Sequence, residues 1–385
     1  MAGIFSCAML VGMSLLFTPF YLGQPEKGLQ LPNRIVIAPM CQYAAHNGHT
    51  SDWHLMHWGN LLNSGAGMFT IEATAVVPEG RITPACLGLW DDATEAAMTD
   101  TLRRARTLAP HTAVCIQLAH AGRKASSAVP WEGAQLLCPA QGGWETFAPS
   151  AIPHLPHETP PTAMTRAEME RVRDAFVSAA QRAERVGVDA IELHAAHGYL
   201  LHEFVSPLSN QRDDAYGGSL ENRIRYVLEI FTAMRAAYSG VLGVRISASD
   251  WVEGGWDAAQ SAELAQRLKA LGCDFIHVSS GGLSPQQKIA LGANYQVPFA
   301  RTVRDASQMP TIAVGLITQA QQAEAILQAG DADLIALARA FLYNPRWGWH
   351  AAAELGGQIK GKENYWRSLP THAQAIFGKT AVGMR

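Results

Sequence analysis

The sequence predicts one α/β domain, a (β/α)8 TIM barrel with a long lid insertion after its third strand. Three observations lead there. Short apolar runs recur eight times along the chain. Segments with helix start and stop signals lie between most of them. One connection, after the third run, is far longer than the rest.

The runs are Arg34–Pro39, Met68–Ala75, Ala113–Leu118, Ala190–His194, Leu242–Ser247, Phe275–Ser279, Thr311–Val314 and Leu334–Ala338. They are continuous rather than alternating, as expected for parallel strands with helices on one face and barrel interior on the other. The clearest helix runs from Thr165 to Val186: Thr165 and Glu168 form a capping box, and Gly187 is the stop signal. Ser219–Tyr238 repeats the logic, followed by Asp257–Leu271 closed by Gly272 and Gln319–Gln328 closed by Gly330. Strand and helix alternating eight times imply a parallel sheet closed as a barrel, with a doubly wound open sheet as the structural competitor. Residues 18–33 are expected to form a small hairpin that plugs the barrel bottom. Residues 119–164 are rich in Pro, Gly and Trp and leave the C-terminal end of a strand, the active face of such barrels. They read as a substrate lid. The barrel domain spans residues 13–358, and residues 359–385 form a C-terminal tail.

Composition narrows the class. The chain has 385 residues with net charge −3 and 48% hydrophobic content, and no Lys/Arg block marks a nucleic-acid surface. The six cysteines, Cys7, Cys41, Cys86, Cys115, Cys138 and Cys273, form no CxxC pair, which argues against a zinc ribbon or an iron–sulfur cluster. They read as reduced thiols of a cytoplasmic protein. Ile4–Phe17 is mostly apolar, yet the first lysine is Lys27 and no small-x-small cleavage site follows. The run is also short for a bilayer span. Residues 1–12 are expected to be an extension upstream of a start at Met13, and no membrane partner is expected.

The informative residues lie at the strand C-termini. The first strand ends in Ala38-Pro39-Met40-Cys41-Gln42-Tyr43, the second in Glu72-Ala73-Thr74-Ala75. The third ends in Gln117-Leu118-Ala119-His120-Ala121-Gly122-Arg123-Lys124, the fourth in Glu192-Leu193-His194-Ala195-Ala196-His197-Gly198-Tyr199. The fifth carries Arg245, the seventh is followed by Gly315, and the eighth carries Ala338-Arg339. Buried polar groups are costly without partners, so their convergence on one mouth points to a bound polar ligand.

The strings PMCQY, EATAV with EGRITP, IQLAHAGRK, ELHAAHGYLLHEFVSPLSNQR, DAYGGSLENRIRY, VRISASDW and LARAF occur in one order from about Leu16 to Arg367. In them the chain resembles the old yellow enzyme family of flavoproteins, in its bacterial branch of thermophilic-like and xenobiotic-reductase ene-reductases. The resemblance implies FMN across the barrel mouth. Ala38, Pro39, Met40, Cys41, Ala73 and Gln117 would contact the flavin. Arg245 would lie near its pyrimidine edge, where a guanidinium favours the anionic reduced form. Gly315, Ala338 and Arg339 would hold the phosphate. His194 and His197 would bind the substrate carbonyl oxygen and stabilise the developing enolate. Tyr199 would protonate the α-carbon, and Tyr43 would help hold the substrate. Cys41 stands where other branches have threonine and would tune the flavin. NADPH is the implied reductant, with NADH open, in ping-pong alternation with a small enone or similar electrophile. No Gly-x-Gly-x-x-Gly opens a helix after a strand, which agrees with nicotinamide binding directly over the flavin.

In this branch a basic or aromatic residue near the C-terminus reaches a neighbouring subunit's site. Trp366 and Arg367 match it, within an expected homodimer or homotetramer, although eighteen residues follow Arg367. Two rival readings stand beside the ene-reductase. One is a metal-dependent barrel hydrolase with His120, His194 and His197 as ligands. The other is a non-catalytic flavin-binding redox sensor.

Overall fold

The computed structural model describes residues 14–380; the expected extension of residues 1–12, with Cys7, lies outside them. Eight parallel strands close a barrel: β1 (Ile35–Ile37), β2 (Met68–Ala75), β3 (Ala113–Ala119), β4 (Ala190–Ala195), β5 (Val241–Ser247), β6 (Phe275–Ser279), β7 (Thr311–Ala313) and β8 (Leu334–Leu337). Each pairs with its sequence neighbour, and β8 pairs with β1. The predicted runs coincide with these strands to within two or three residues. They are nearly all buried because interior side chains face one another while the opposite face meets a helix.

Eight helices form the outer layer: α1 (Asp52–Leu62), α2 (Asp92–Leu108), α3 (Arg166–Val186), α4 (Leu220–Ala237), α5 (Ala258–Ala270), α6 (Val297–Ser307), α7 (Ala320–Gln328) and α8 (Trp347–Leu355). The expected caps are in place. Thr165 accepts from the Glu168 N–H while the Glu168 carboxylate accepts from the Thr165 N–H, and Gly187 ends α3 in the left-handed region at φ 86°. Ser219 and Asp257 cap α4 and α5 by a side-chain oxygen that accepts from the Asn222 and Gln260 N–H, without the reciprocal bond.

Phe20–Leu22 and Leu29–Leu31 pair antiparallel, as the hairpin expected from residues 18–33. Leu22 and Leu31 are fully buried and join the interior cluster of Met68, Cys115, Ala190, Val241 and Phe275, near the N-terminal ends of their strands. The hairpin therefore closes the barrel bottom and leaves the opposite mouth for a ligand. Gly243 makes room for this filling: a Cβ there would meet the Phe275 ring at 2.4 Å.

The connection from Ala119 to Met164 has short turns and one two-strand pair, Phe147–Ala148 with Thr162–Ala163. Its exposed Trp131 stands edge-on to Tyr43, with ring centroids 5.7 Å apart. Beyond α8 the chain folds back on itself: Ile359, Ala373 and Ile376 pack on Ala352, and Tyr365 stacks over the Arg346 guanidinium at 5.0 Å.

Candidate active site

Strand β4 delivers three aromatic side chains to the open mouth. His194 lies on the strand, and the chain turns at His197, whose φ of 59° aims the ring back toward it. The rings of His194 and His197 are 5.3 Å apart, and those of His194 and Tyr199 5.1 Å, all nearly perpendicular. His194 Nδ1 accepts from the Ala196 N–H, so its Nε2 carries the proton and donates. His197 Nε2 contacts Ser279 Oγ at 2.8 Å. Ser280 already donates to Gln296 Oε1 at 2.6 Å, and the Ser279 contact to that oxygen is long at 3.4 Å. The Ser279 hydroxyl thus stands between His197 Nε2 and Gln296 Oε1, and when it donates to Nε2 the remaining His197 proton sits on Nδ1. Burial, with Arg245 next, holds both imidazoles well below their ordinary pKa for His194 and His197. Both are neutral donors at neutral pH.

The same burial pushes the Tyr199 phenol well above its ordinary pKa, so it stays protonated. Lys124 lies 5.0 Å over the Tyr199 ring and donates to the carbonyls of His197 and Gly282 at 2.8 and 2.9 Å. It ties the third and fourth strand ends to the loop after β6. Burial lowers its pKa to about 8. A second clamp lies behind: His202 accepts from the Gly198 N–H and contacts Asp250, whose carboxylate also accepts from Ser206 and the Trp256 N–H. The turn that presents His197 and Tyr199 is therefore held by a fully buried network.

Register explains the layer beneath. Glu192 pairs with Gln117 across β3 and β4, and Arg245 pairs with His194 on one side and His277 on the other. Four polar side chains consequently meet in the barrel. Glu192 accepts from Gln117 Nε2 at 2.7 Å and contacts His277 Nδ1 at 2.8 Å. Burial pushes the Glu192 carboxyl up, but His277, Arg245 and Gln117 outweigh it and hold the pKa below its ordinary value. Arg245 is buried, and its Nε has no hydrogen-bond partner among the described residues.

On the other side of the mouth, β2 carries a bulge between Ile71 and Thr74, where Glu72 and Ala73 re-aim the strand. Glu72 accepts from the Gln42 N–H at 2.8 Å and so fixes the Pro39–Tyr43 segment, with Tyr43 at φ 53°. Tyr43, Tyr199, Lys124, Ser127 and His154 line a cavity of about 350 Å³ under the lid. The loops after β7 and β8 bound another of about 600 Å³, with Gly315, Ala338 and the exposed Arg339 on its wall. Gly315 sits at φ 118°, and a Cβ there would lie 2.4 Å from Gln296 Nε2. His120 lies apart in role: its Nδ1 accepts from the Gly122 N–H.

The comparisons fall on this same barrel. The sequence model of the NADH:flavin oxidoreductase / NADH oxidase family matches residues 15–357. The chain belongs to this family. An NADH:flavin oxidoreductase of Gibberella zeae is 42% identical over 91% of this chain and 88% of its own length. An NADPH dehydrogenase of a Geobacillus species is 43% identical over 92% of this chain and 98% of its own. Among solved structures, morphinone reductase in complex with tetrahydroNAD aligns at TM-score 0.71 and 26% identity, over 94% of this chain and 96% of that one. The protein is thus a flavin-dependent oxidoreductase with a TIM barrel, as the sequence motifs implied. No helix among the described residues is long and apolar enough to cross a membrane.

The residues present fit FMN. Arg245 is a buried guanidinium beside His194 whose Nε has no hydrogen-bond partner among the described residues, and Gln117 is buried with its amide nitrogen donating to Glu192. The cavity at Gly315 and Arg339 lies where phosphate binds in such barrels. The structure places Gln117 on β3, His194 on β4 with His197 and Tyr199 just after it, and Arg245 on β5, while Ala38, Pro39, Met40 and Cys41 follow β1 and Ala73 lies on β2. Sequence reasoning missed Ser279, His277, Glu192 and Lys124. Lys124 stood within a quoted motif with no role given to it. Ser279 and His277 sit on an apolar run with no pattern that marks them.

Proposed function

We propose that the protein is an NAD(P)H-dependent ene-reductase that reduces the activated C=C bond of small enones and related electrophiles. The observation that carries this reading is the group of two neutral imidazole donors and one protonated phenol at the end of β4, beside a buried arginine. When bound, FMN supplies the hydride chemistry. The protein's own groups do the rest. Ala38–Cys41, Ala73, Gln117 and Arg245 would hold the ring, and Gly315, Ala338 and Arg339 the phosphate. His194 Nε2 and His197 Nδ1 would donate to the carbonyl oxygen as charge develops there. Tyr199 would give its proton to the α-carbon, and Tyr43 and the lid would exclude water. Family membership and the nicotinamide named for the morphinone reductase complex support NADPH or NADH as reductant, sharing one site with the substrate in alternation.

The test is anaerobic. NADPH should bleach the yellow protein, and 2-cyclohexenone should restore the colour with saturated ketone as product. Bleaching without recovery on any enone, nitroalkene or maleimide would sink the proposal.

A further inference from the structure

The segment after β3 brings two cations to one place. Arg123 and Lys124 both reach the loop after β6 and donate to successive carbonyls there, Arg123 Nη2 to Leu283 and Lys124 Nζ to Gly282, each at 2.9 Å. Lys124 Nζ also donates to the His197 carbonyl at 2.8 Å, and Arg123 Nη1 reaches the lid carbonyls of Ile152 and Pro153 at 3.2 and 3.4 Å. Both side chains line the cavity of about 350 Å³ under the lid, together with Tyr43 and Tyr199. Lys124 Nζ lies 5.0 Å from the Tyr199 ring centroid. Donors are left over. Arg123 is 7% exposed, yet its Nε has no hydrogen-bond partner among the described residues. Lys124 spends two of its three N–H groups on carbonyls. Neither cation forms an ion pair among the described residues.

We propose that Arg123 and Lys124 form a carboxylate subsite beside Tyr199, so that the acceptors this protein takes carry an acid group on a short arm from the activated C=C bond. The inference rests on the ene-reductase reading for the place of that bond. Buried charge is costly unless it is paired, and these two cations lack a counter-ion. Glu203, outside the cavity lining, accepts from the Arg123 backbone N–H, and burial raises its pKa to about 8, so it holds its proton at neutral pH. Burial lowers the Lys124 pKa to about 8, which leaves it a cation there. Glu158 also lines the cavity, and its carboxylate accepts from the Leu155 N–H. Two cations thus share the cavity with one carboxylate. A second carboxylate would balance the charge, and its two oxygens would supply acceptors for the Arg123 Nε–H and the third Lys124 N–H. The arm is short because Lys124 stands against the ring that would protonate the α-carbon. The cavity is at the small end of ligand sites, with room for a small acid and not for a dinucleotide.

The test uses two probes of matched shape, a 2-cyclohexenone with a short carboxyalkyl arm and its primary amide. Each is titrated into the oxidised holoenzyme, and binding is read from the perturbed flavin absorbance. A charge-assisted contact predicts that the acid binds roughly 10- to 100-fold more tightly than the amide, with kcat/KM in the same order. In Lys124→Met that preference should fall to within about threefold. The readout is a ratio between two probes on one protein, so a general loss of activity from a disturbed turn does not move it. Binding is read without turnover, so charge selectivity stands or falls apart from the ene-reductase assignment. Acid and amide binding alike in the wild type, or a preference that survives in Lys124→Met, overturns the proposal. So does a Lys124→Met defect confined to NADPH in the reductive half-reaction, which would assign the cations to the nucleotide's phosphate.

Discussion

Replacing Tyr199 by Phe removes one atom whose role the structure isolates. Among the described residues the Tyr199 hydroxyl has no hydrogen-bond partner, so its loss orphans no buried group. The ring keeps its edge contact with His194 and its place under the Lys124 ammonium. Folding stability should therefore change by no more than about 0.5 kcal/mol. The rate effect should be far larger. General acid catalysis contributes roughly 10²–10⁴-fold, or about 3–5 kcal/mol of barrier. That loss should fall on the oxidative half-reaction with an enone, which needs a proton at the α-carbon. The reductive half-reaction needs no such acid and should keep its rate. Nitroalkenes should suffer less, because a nitronate product can leave and take its proton from water. Burial pushes the Tyr199 pKa up, so the wild-type acid should not titrate away below pH ~10. Stopped-flow absorbance of the flavin separates the two half-reactions. Equal slowing of both would assign Tyr199 to binding or structure, and unchanged enone reduction would assign the proton to another donor.

The remaining expectations are shorter. His194→Ala with His197→Ala should abolish enone turnover while FMN stays bound, since one lost oxyanion donor typically removes roughly 10²–10³ in rate; turnover within a few-fold of wild type would refute the assignment. Ser279→Ala should slow enone turnover by up to that same single-donor factor, roughly 10²–10³, because nothing then keeps the His197 proton on Nδ1; an unchanged kcat would show that the tautomer is set elsewhere. Glu203 is buried, and burial raises its pKa to about 8 even though it accepts from the Arg123 N–H. Its folded form holds a proton that the unfolded chain has lost above pH ~4.5. Its contribution to stability should therefore fall as pH rises from 4.5 to 8, and Glu203→Gln should remove that slope. Chemical denaturation of both proteins at pH 5 and pH 8 reads it, and parallel pH profiles would refute it.

The barrel was legible in the sequence because its signals are local. Continuous apolar runs such as Met68–Ala75, and caps such as Thr165 with Glu168 and Gly187, need only the chain's own neighbours to act. Helices α1, α2, α6 and α8 were less so: Ser51 and Asp91 were not read as caps, and Gln296 and Arg346 make no side-chain cap. The locations of His194, His197, Tyr199, Arg245 and Gln117 were legible too, since strand ends in such a barrel share one mouth. What the sequence by itself determined was thus the order of elements and which polar residues stand at the strand ends of one mouth. Tertiary structure alone decided the partnerships. His194 faces Arg245 and Gln117 faces Glu192 through strand register, which sets pairs distant in sequence side by side. Ser279 meets His197 because residues from different strand ends converge on a mouth only when the sheet closes. Charge state follows the same rule: a histidine in a sequence has an ordinary pKa, and it becomes a neutral donor only when burial and a neighbouring guanidinium make its cation too costly.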